Sequence, residues 1–263
     1  GAVIITGETA RKENAREVLD SLSDFAGDFV VAAAGPSLEG ILAGRGAGTE
    51  ELSRRRGITA ANLDTGGGTT NIALFKNGEA AETCCLDIGG RLIEYGRRGE
   101  VVYLSPKLAP LIRALKGAIR IGEIPPAGAV PALAALMAEL VGRALAGASA
   151  GERDALLEAV ITDHPLRGGE GIRAITFSGG VSDAIYPLLE GRTPGGGDYG
   201  DMGADLGRAI AKAAWLSRYE VAGARETIRA TVVGAGCHTT ELSGSTINID
   251  QGLLPLRNLP VLT

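Results

Sequence analysis

The sequence predicts an α/β fold, because short apolar strands alternate along the chain with helical segments that have one apolar face. The first part contains a strand at 3–5, a helix with an apolar face at 15–22, and a strand at 29–33. A short helix follows around 38–42. Three strands between 58 and 86 then form a meander.

Helical segments occupy much of the chain between 108 and 161. We predict helices over 108–119, over the alanine-rich stretch 132–146 and over 154–161, and their aliphatic spacing is typical of core packing. An apolar strand at 174–178 and a helix at 201–210 complete the α/β pattern.

The most informative segment joins the first two strands of the meander. Asp64 ends an apolar strand, the glycines 66–68 follow, and Thr69 and Thr70 lead into the next strand. Glycine adopts backbone angles closed to other residues, so successive N–H groups can converge on an anion. Asp64 can hold a divalent cation, usually through water for magnesium. The loop is a candidate phosphate site, and a glycine-rich turn without a ligand is the alternative.

A second glycine-containing turn follows the strand at 174–178. This strand ends at Gly179 and Gly180, and Ser182 or Asp183 is expected to cap the next helix. A glycine pair at a strand end lets a flat ring or a phosphate lie directly against the backbone. The alternative is that these glycines only relieve crowding in a strand-to-helix turn.

Taken together and in this order, the two turns resemble the phosphate and adenosine loops of the actin-like (ribonuclease-H-like) ATPase superfamily, which includes sugar kinases and heat-shock chaperone ATPases. Residues 28–43 look like the strand and connecting helix before the second phosphate loop of these proteins. Residues 87–94 look like the turn into the helix after the meander, and residues 201–210 look like the helix that closes the nucleotide domain. The resemblance implies an actin-like fold.

At a finer level the sequence resembles one family, the ethanolamine ammonia-lyase reactivating factors. The matching segments span nearly the whole chain and lie at 3–10, 62–69, 229–239, 242–247 and 254–261. The resemblance implies a chaperone that uses ATP and magnesium to release damaged cobalamin from ethanolamine ammonia-lyase, so that intact cofactor can enter. That lyase is the expected partner, and homo-oligomers and association with a bacterial microcompartment are further expectations.

The same resemblance assigns the site residues. Asp64 is the expected catalytic residue and holds magnesium through water. The nucleotide is expected to bind Asp64, Thr65, Gly66, Gly67, Gly68, Thr69 and Thr70 in the phosphate loop, and Gly179, Gly180, Val181 and Ser182 in the adenosine loop.

One departure argues against fast hydrolysis. Chaperone ATPases carry an acid before the proline of the connecting helix, whereas Gly35 precedes Pro36 here. Glu39, one turn further on, can substitute for this acid, and a solvated helix residue is the alternative. We therefore expect a weak ATPase.

Actin-like ATPases carry two phosphate loops, and nothing like the first one precedes Asp64. We therefore expect a chain that starts inside the first lobe, and the apolar end at 259–263 also suggests truncation. The expected units are the rest of the first lobe with the connecting helix at 1–57, a second lobe at 58–220 and a β-rich C-terminal segment at 221–263. The second lobe would hold both loops and a helical cap insertion between them.

Composition narrows the classes of function. A formal net charge of -5 gives no electrostatic case for binding nucleic acid. The arginine triplet at 54–56 is the main basic cluster, and a solvated helix end explains it. The sequence shows no signal peptide, no lipidation pattern and no uninterrupted apolar run of 18 or more residues. We expect a cytoplasmic protein without a membrane partner.

The three cysteines favour buried thiols over a metal centre. Cys84 and Cys85 are adjacent on a predicted strand, so their side chains face opposite sides of the sheet. They are therefore poorly placed to bind one metal ion together or to form a disulfide bond with each other. Cys237 and His238 lack further ligands, because the other histidine, His164, is expected at the surface and zinc needs at least three protein ligands.

Two rival functions stay open from the sequence, because fold does not fix function. A small-molecule kinase of the actin-like superfold needs a catalytic aspartate in the first lobe and a sugar pocket, and neither can be located. An actin-like polymer without a client enzyme is the other alternative.

Overall fold

The computed structural model describes residues 2–5, 30–33, 35–147, 154–169, 171–193 and 199–243. The helix expected at 15–22 lies outside the described residues, as do residues 6–10, 244–247 and 254–261 of the family segments. The three glycines at 195–197, which the sequence predicts to form a flexible, solvent-exposed linker, also lie outside them.

The described residues form strands at the predicted places, together with three strands, Ile93–Tyr95, Val101–Leu104 and Glu220–Val221, that were not predicted. The strands are β1 (Ala2–Ile5), β2 (Val30–Ala33), β3 (Thr59–Thr65), β4 (Thr70–Lys76), β5 (Glu79–Leu86), β6 (Ile93–Tyr95), β7 (Val101–Leu104), β8 (Ile172–Ser178) and β9 (Glu220–Val221). The strands expected at 3–5, at 29–33, at 174–178 and in the meander are therefore confirmed.

The helices are α1 (Pro36–Gly46), α2 (Thr49–Arg56), α3 (Ala109–Ala114), α4 (Ala129–Ala146), α5 (Ala155–Val160), α6 (Ser182–Leu189), α7 (Gly203–Ala211) and α8 (Ala230–Ser243). Within the described ranges, short 3-10 turns lie at Gly90–Leu92, Pro106–Leu108 and Ala214–Arg218. The helices expected at 132–146, 154–161 and 201–210 correspond to α4, α5 and α7.

A five-stranded sheet in the order β5-β4-β3-β8-β9 organises the described residues. β3, β4 and β5 are antiparallel, whereas β8 runs parallel to β3 and β9 runs parallel to β8. In the β3–β8 register, Asp64 lies opposite Ser178. Because parallel strands end at the same edge of a sheet, the two predicted loops leave β3 and β8 side by side.

The two faces of this sheet pack differently. On one face Leu63 and Ile72 join a large apolar cluster that includes Met137 and Leu140 of α4. On the other face α1 lies directly on the sheet, since a Cβ atom on Gly44 would overlap the ring of the fully buried Phe75. Glycine lets this helix approach the strands more closely than any other residue would.

Helix α4 is a core helix, although it is long and apolar enough to cross a membrane by length and composition alone. Its mean hydropathy is 1.6, and 56% of it is buried inside the protein. It also carries Glu139 and Arg143, which form an ion pair. Burial of one face against the sheet explains the apolar composition.

Two helices predicted between the meander and α4 differ in the structure. The helix expected after residues 87–94 is wrong: a 3-10 turn leads directly into β6, because Gly90 and Arg91 donate their N–H groups to loop carbonyls of another segment. The helix expected at 108–119 is shorter, since α3 ends at Ala114 and Lys116 adopts a left-handed conformation. The Gly117 N–H then donates to the Ile112 carbonyl, which terminates the helix.

The expectation of a β-rich segment at 221–263 is wrong over α8. β-branched residues such as Val232 and Val233 favour a strand locally, but helix packing overrides this preference. Cβ atoms on Gly46 of α1 and on Gly234 of α8 would each overlap a backbone carbonyl of the other helix. The two helices therefore cross in direct backbone contact.

We expect Gly44→Ala to lower the free energy of unfolding by about 1–3 kcal/mol, because the added methyl group has no room beside Phe75. Gly223→Ala is the matched control, since a Cβ atom there meets nothing within 4 Å. Urea denaturation measures both variants. Equal stability of the two variants would contradict the close packing of α1 on the sheet.

Candidate functional site

The two sequence-predicted loops form one backbone unit. The Val181 N–H donates to the Thr65 carbonyl at 3.2 Å. Gly179 lies against the same carbonyl so closely that a Cβ atom would overlap it, and its φ of +79° is left-handed. Both features require glycine at this position.

The phosphate loop is held by its neighbours through its carbonyl oxygens. The Gly66 N–H closes the turn on the Thr69 carbonyl at 2.9 Å. The Gly66 and Gly67 carbonyls accept the N–H groups of Gly90 and Arg91 at 2.9 and 2.7 Å. In a planar trans peptide the C=O and N–H groups point in opposite directions. The N–H groups of Gly67 and Gly68 therefore point away from the turn at 90–91.

These two N–H groups donate to no acceptor within the described residues. Backbone donors must find an acceptor or water, and adjacent glycine N–H groups are a common anion site. The loop therefore has two donors free for an anionic ligand.

Asp64 lies at the end of a buried chain of polar side chains. The Ser178 hydroxyl donates to Asp64 Oδ1 at 2.7 Å, and Asn62 Nδ2 donates to the Ser178 hydroxyl at 2.9 Å. Asn62 Oδ1 accepts the Thr176 hydroxyl at 2.8 Å, and the Thr176 and Thr49 hydroxyl oxygens are 2.6 Å apart. The chain fixes one carboxylate oxygen, while Oδ2 of Asp64 has no partner among the described residues.

Burial raises the pKa of Asp64 to about 6, although the Ser178 hydrogen bond lowers it. The charge of Glu39 raises it further, which places this half-buried side chain near Asp64. The two negative charges therefore repel each other in the ligand-free protein.

Asn71 adds an oxygen at the same place. It lies directly opposite Asp64 in the β3–β4 pair, so the two side chains share one face of the sheet. Asn71 is 3% exposed, and its Oδ1 is buried without a hydrogen-bond partner in the described part of the chain. A buried unpaired carbonyl oxygen costs about 1–3 kcal/mol, which a ligand or water could recover.

A cleft of about 260 Å³ opens between the loops, and it runs on to the start of α7. Gly180 is exposed on its wall, and a Cβ atom there meets nothing within 4 Å. The lining residues are Gly66, Gly67, Gly90, Arg91, Gly180, Val181, Asp183, Ala184, Tyr199, Asp201, Gly203, Ala204 and Ile228.

Other predicted residues support the cleft from behind. The Thr70 hydroxyl is buried and lies 2.7 Å from the Ile88 carbonyl, and it also contacts Thr65 Oγ1 at 3.2 Å. The expected cap of α6 by Ser182 or Asp183 is wrong: Val181 is the N-cap residue, and the Ser182 hydroxyl donates to the Gly179 carbonyl. This bond keeps the adenosine loop tight.

Sequence reasoning missed the polar chain and the far wall of the cleft. Asn62, Thr176 and Ser178 are polar residues at alternate positions of otherwise apolar strands, and that pattern could have indicated them. Arg91 and Asp201 carry no such signal, because only the tertiary structure brings them to the cleft.

Cys84 and Cys85 are buried, as predicted, and burial raises the pKa of Cys84 to about 12. His164 is exposed, also as predicted, whereas the side chains of Cys237 and His238 lie outside the described residues.

The arginine triplet at 54–56 forms the end of α2 at the protein surface, as predicted. Arg54 forms ion pairs with Glu50 and Glu51 of the same helix.

We expect Asp64→Asn to stabilise the ligand-free protein at pH 7 but not at pH 4. The unfolded carboxyl has its ordinary pKa of 3.8 and the folded one titrates near 6, so the folded protein retains a proton that the unfolded chain has lost. This contribution is complete below pH 4 and is lost as the pH rises through 6. About two pKa units correspond to about 3 kcal/mol.

Urea denaturation in a metal chelator at pH 4, 5.5 and 7 measures this difference. A difference between wild type and Asp64→Asn that stays constant with pH would show that Asp64 has an ordinary pKa.

Comparison with known proteins places the chain in a family. The family model of the ethanolamine utilisation protein EutA matches residues 1–263. The ethanolamine ammonia-lyase reactivases EutA of Salmonella typhimurium (strain LT2) and Escherichia coli (strain K12) are each 39% identical to it over 266 residues, which is 99% of this chain. The match covers 54% of each relative, so the chain spans about half the length of these curated relatives.

Among solved structures, the PPX-GPPA enzyme of Aquifex aeolicus aligns with a TM-score of 0.51 at 14% identity. The alignment covers 88% of this chain and 74% of that chain. At this identity the likeness concerns the fold alone, and it confirms the predicted actin-like α/β fold. On the family match and the two relatives, the chain belongs to the ethanolamine utilisation protein EutA family.

Proposed function

We propose that this chain carries the nucleotide site of an ATP-dependent reactivating chaperone that releases damaged cobalamin from ethanolamine ammonia-lyase. The main support is the pair of N–H groups of Gly67 and Gly68, which have no acceptor among the described residues. They lie on the phosphate loop, which is hydrogen-bonded to the adenosine loop, and the two loops border one cleft. The names of the two 39% identical relatives support the choice of client.

In this proposal the ligand phosphates bind the glycines 66–68 with Thr69, and the adenosine lies against Gly179, Gly180 and Val181. The open face at Gly180 leaves room for a ring or a ribose next to the backbone. Thr65, Thr70 and Ser182 hold the loops in shape through buried hydrogen bonds.

The donor set at Asp64 fits magnesium held mainly through water. The described residues include no group of three His, Cys, Asp or Glu side chains that could hold a metal directly. They do offer Oδ2 of Asp64, the orphaned Oδ1 of Asn71 and the nearby carboxylate of Glu39. Magnesium prefers such oxygens and usually keeps several waters. When bound there, it would neutralise charge that develops on the transferred phosphate.

We assign to Glu39 the part of the acid that is absent before Pro36. Gly35 is the N-cap residue of α1 and has no side chain, whereas Glu39 lies one turn further along the same helix. The charge of Glu39 raises the pKa of Asp64. A carboxylate at this point could orient an attacking water.

Nucleotide can drive release of a cofactor only if the nucleotide states bind the lyase differently. The loop carbonyls are bonded to the turn at 90–91, and β6 follows this turn and bonds to Met202 at the start of α7. A ligand that moves the phosphate loop would therefore also move β6 and the start of α7, which lie next to it.

The kinase and polymer alternatives have no supporting observation of their own among the described residues. A cytoplasmic location, association with a microcompartment and homo-oligomers stay predictions that go with the reactivase proposal.

We expect the complete protein that carries this chain to restore turnover to ethanolamine ammonia-lyase inactivated with cyanocobalamin, in an ATP-dependent way. Asp64→Ala should reduce this reactivation by about tenfold or more, because loss of metal stabilisation of a phosphate costs several kcal/mol. Asp205→Ala, outside the cleft, is the control. If Asp64→Ala reactivates the lyase as well as wild type does, with an unchanged dependence on magnesium, the assignment of Asp64 as the magnesium-holding residue is wrong.

We expect Gly180→Val to weaken ATP binding by at least about tenfold while leaving the melting temperature of the ligand-free protein nearly unchanged. The added side chain enters open space in the apo protein and overlaps a ligand there. Gly179→Ala is the contrasting variant, since its Cβ overlaps the Thr65 carbonyl at a left-handed φ, and it should lose stability instead. Calorimetry and thermal melts decide, and normal ATP affinity of folded Gly180→Val would exclude the adenosine loop as a binding surface.

A further inference from the structure

We propose that Arg91 is a phosphate-binding residue of this cleft, and that Asp201 holds its guanidinium beside the phosphate loop until a nucleotide polyphosphate enters. The inference deepens the nucleotide-binding proposal and rests on it. It adds a cationic side chain, and a partner for that side chain, to the backbone N–H groups and the oxygen donors of the proposed site.

Charge balance in the cleft points to Arg91. Two carboxylates, Asp183 and Asp201, line the cleft, and Arg91 is the one Lys or Arg side chain among the described lining residues. A nucleotide polyphosphate brings several negative charges into this space. The backbone N–H groups and the magnesium proposed at Asp64 would have to offset both the ligand charge and the repulsion from these carboxylates, and a cationic side chain on the cleft wall adds stabilisation where the carboxylates lie.

The backbone fixes where the Arg91 side chain begins. Its N–H donates to the Gly67 carbonyl at 2.7 Å. Its aliphatic stem lies over the loop, since a Cβ atom on Gly67 would come within 3.1 Å of Arg91 Cδ. The guanidinium therefore starts directly beside the glycines that carry the unpartnered N–H groups, and any movement of the loop moves it too.

Asp201 restrains the guanidinium without satisfying it. Arg91 Nε lies 3.6 Å from Asp201 Oδ2, which is longer than a hydrogen bond. Asp201 is itself fixed, because its Oδ1 accepts the Gly203 N–H at 2.8 Å and its side chain is only 8% exposed. The Arg91 side chain is 66% exposed and donates no hydrogen bond to a described residue.

This loose pair differs from the tight ones elsewhere on the surface. Arg56 forms two hydrogen bonds with Glu220, at 2.7 and 2.8 Å, and so has its fork of donors occupied. Arg91 keeps its fork free while it stays near the loop. A phosphate can accept two parallel N–H bonds from such a fork and offers more charge than one carboxylate. The Arg91 guanidinium therefore binds a phosphate in preference to Asp201.

The test measures binding of ATP, ADP and adenosine to the complete protein by calorimetry in the presence of magnesium. Arg91→Ala should weaken ATP and ADP binding by about tenfold or more and leave adenosine binding unchanged, because the lost bonds are to phosphate. Arg91→Lys should recover part of the affinity, since it restores the charge but not the fork. Arg98→Ala is the control, because this arginine is 85% exposed and does not line the cleft.

Asp201→Asn tests the restraint with an effect of opposite sign. The amide oxygen can still accept the Gly203 N–H, while the competing negative charge is removed, so ATP should bind more tightly than to wild type. Weaker ATP binding by Asp201→Asn would overturn the role given to Asp201.

The failures of the two proposals are distinguishable. If wild type binds no ATP, the nucleotide-binding proposal fails and this inference falls with it. If wild type binds ATP and Arg91→Ala binds it equally well, only the role of Arg91 is overturned. An equal loss of ATP and adenosine binding by Arg91→Ala would show a structural role, which also overturns the inference.

Discussion

Direct backbone contact between loops is the constraint on which this structure depends. Gly179 presses against the Thr65 carbonyl, and Gly89 presses against the Gly67 carbonyl, with no space for a side chain at either point. The parallel pairing of β3 with β8 brings the loop ends together, and the missing Cβ atoms let them close. Because the neighbouring segments bind the loop carbonyls, the loop N–H groups are left for a ligand. The cleft is thus a consequence of how the loops pack.

The buried polar chain behind Asp64 is a second constraint, and burying its polar groups costs free energy. Hydroxyl and amide groups of Asn62, Thr176 and Ser178 lie in the interior, where each must be paired to avoid a desolvation penalty. They pair with one another and end at one oxygen of Asp64, which fixes the carboxylate but leaves it desolvated. A buried carboxylate next to Glu39 and an unpaired Asn71 oxygen is unfavourable in the ligand-free protein. A cation bound at Asp64 and Asn71 would stabilise the Asp64 carboxylate and the unpaired Asn71 oxygen together.

The sequence predicted the strands β3, β4, β5 and β8 and both loops because their signals are local, whereas the two-residue strand β9 was not predicted. Alternating apolar residues and adjacent glycines carry that information within a few positions, as at Asp64 to Thr69 and at Gly179. The cap of α6, the turn at 90–91 and helix α8 were predicted wrongly, because contacts with distant segments decide them. Arg91 and Asp201 were missed for the same reason, since they meet only after β6 returns to α7. Resemblance to a family supplied the function that local patterns could not.

Helix α1 repeats the backbone-contact principle on a larger scale. Gly44 faces the sheet at Phe75, and Gly46 faces α8 at Ala230, so the helix is held in direct contact on two sides. Small residues on both faces give it little amphipathic signal, although they allow close contact on both sides. Gly40 continues this contact at the candidate cation site, since a Cβ atom there would meet Asn71 Cβ at 3.4 Å. Glu39 precedes Gly40 on the first turn of this helix. Glycine packing in α1 therefore sets how closely the first turn of the helix approaches Asn71, and a larger residue at Gly44 would shift that turn relative to the candidate cation site.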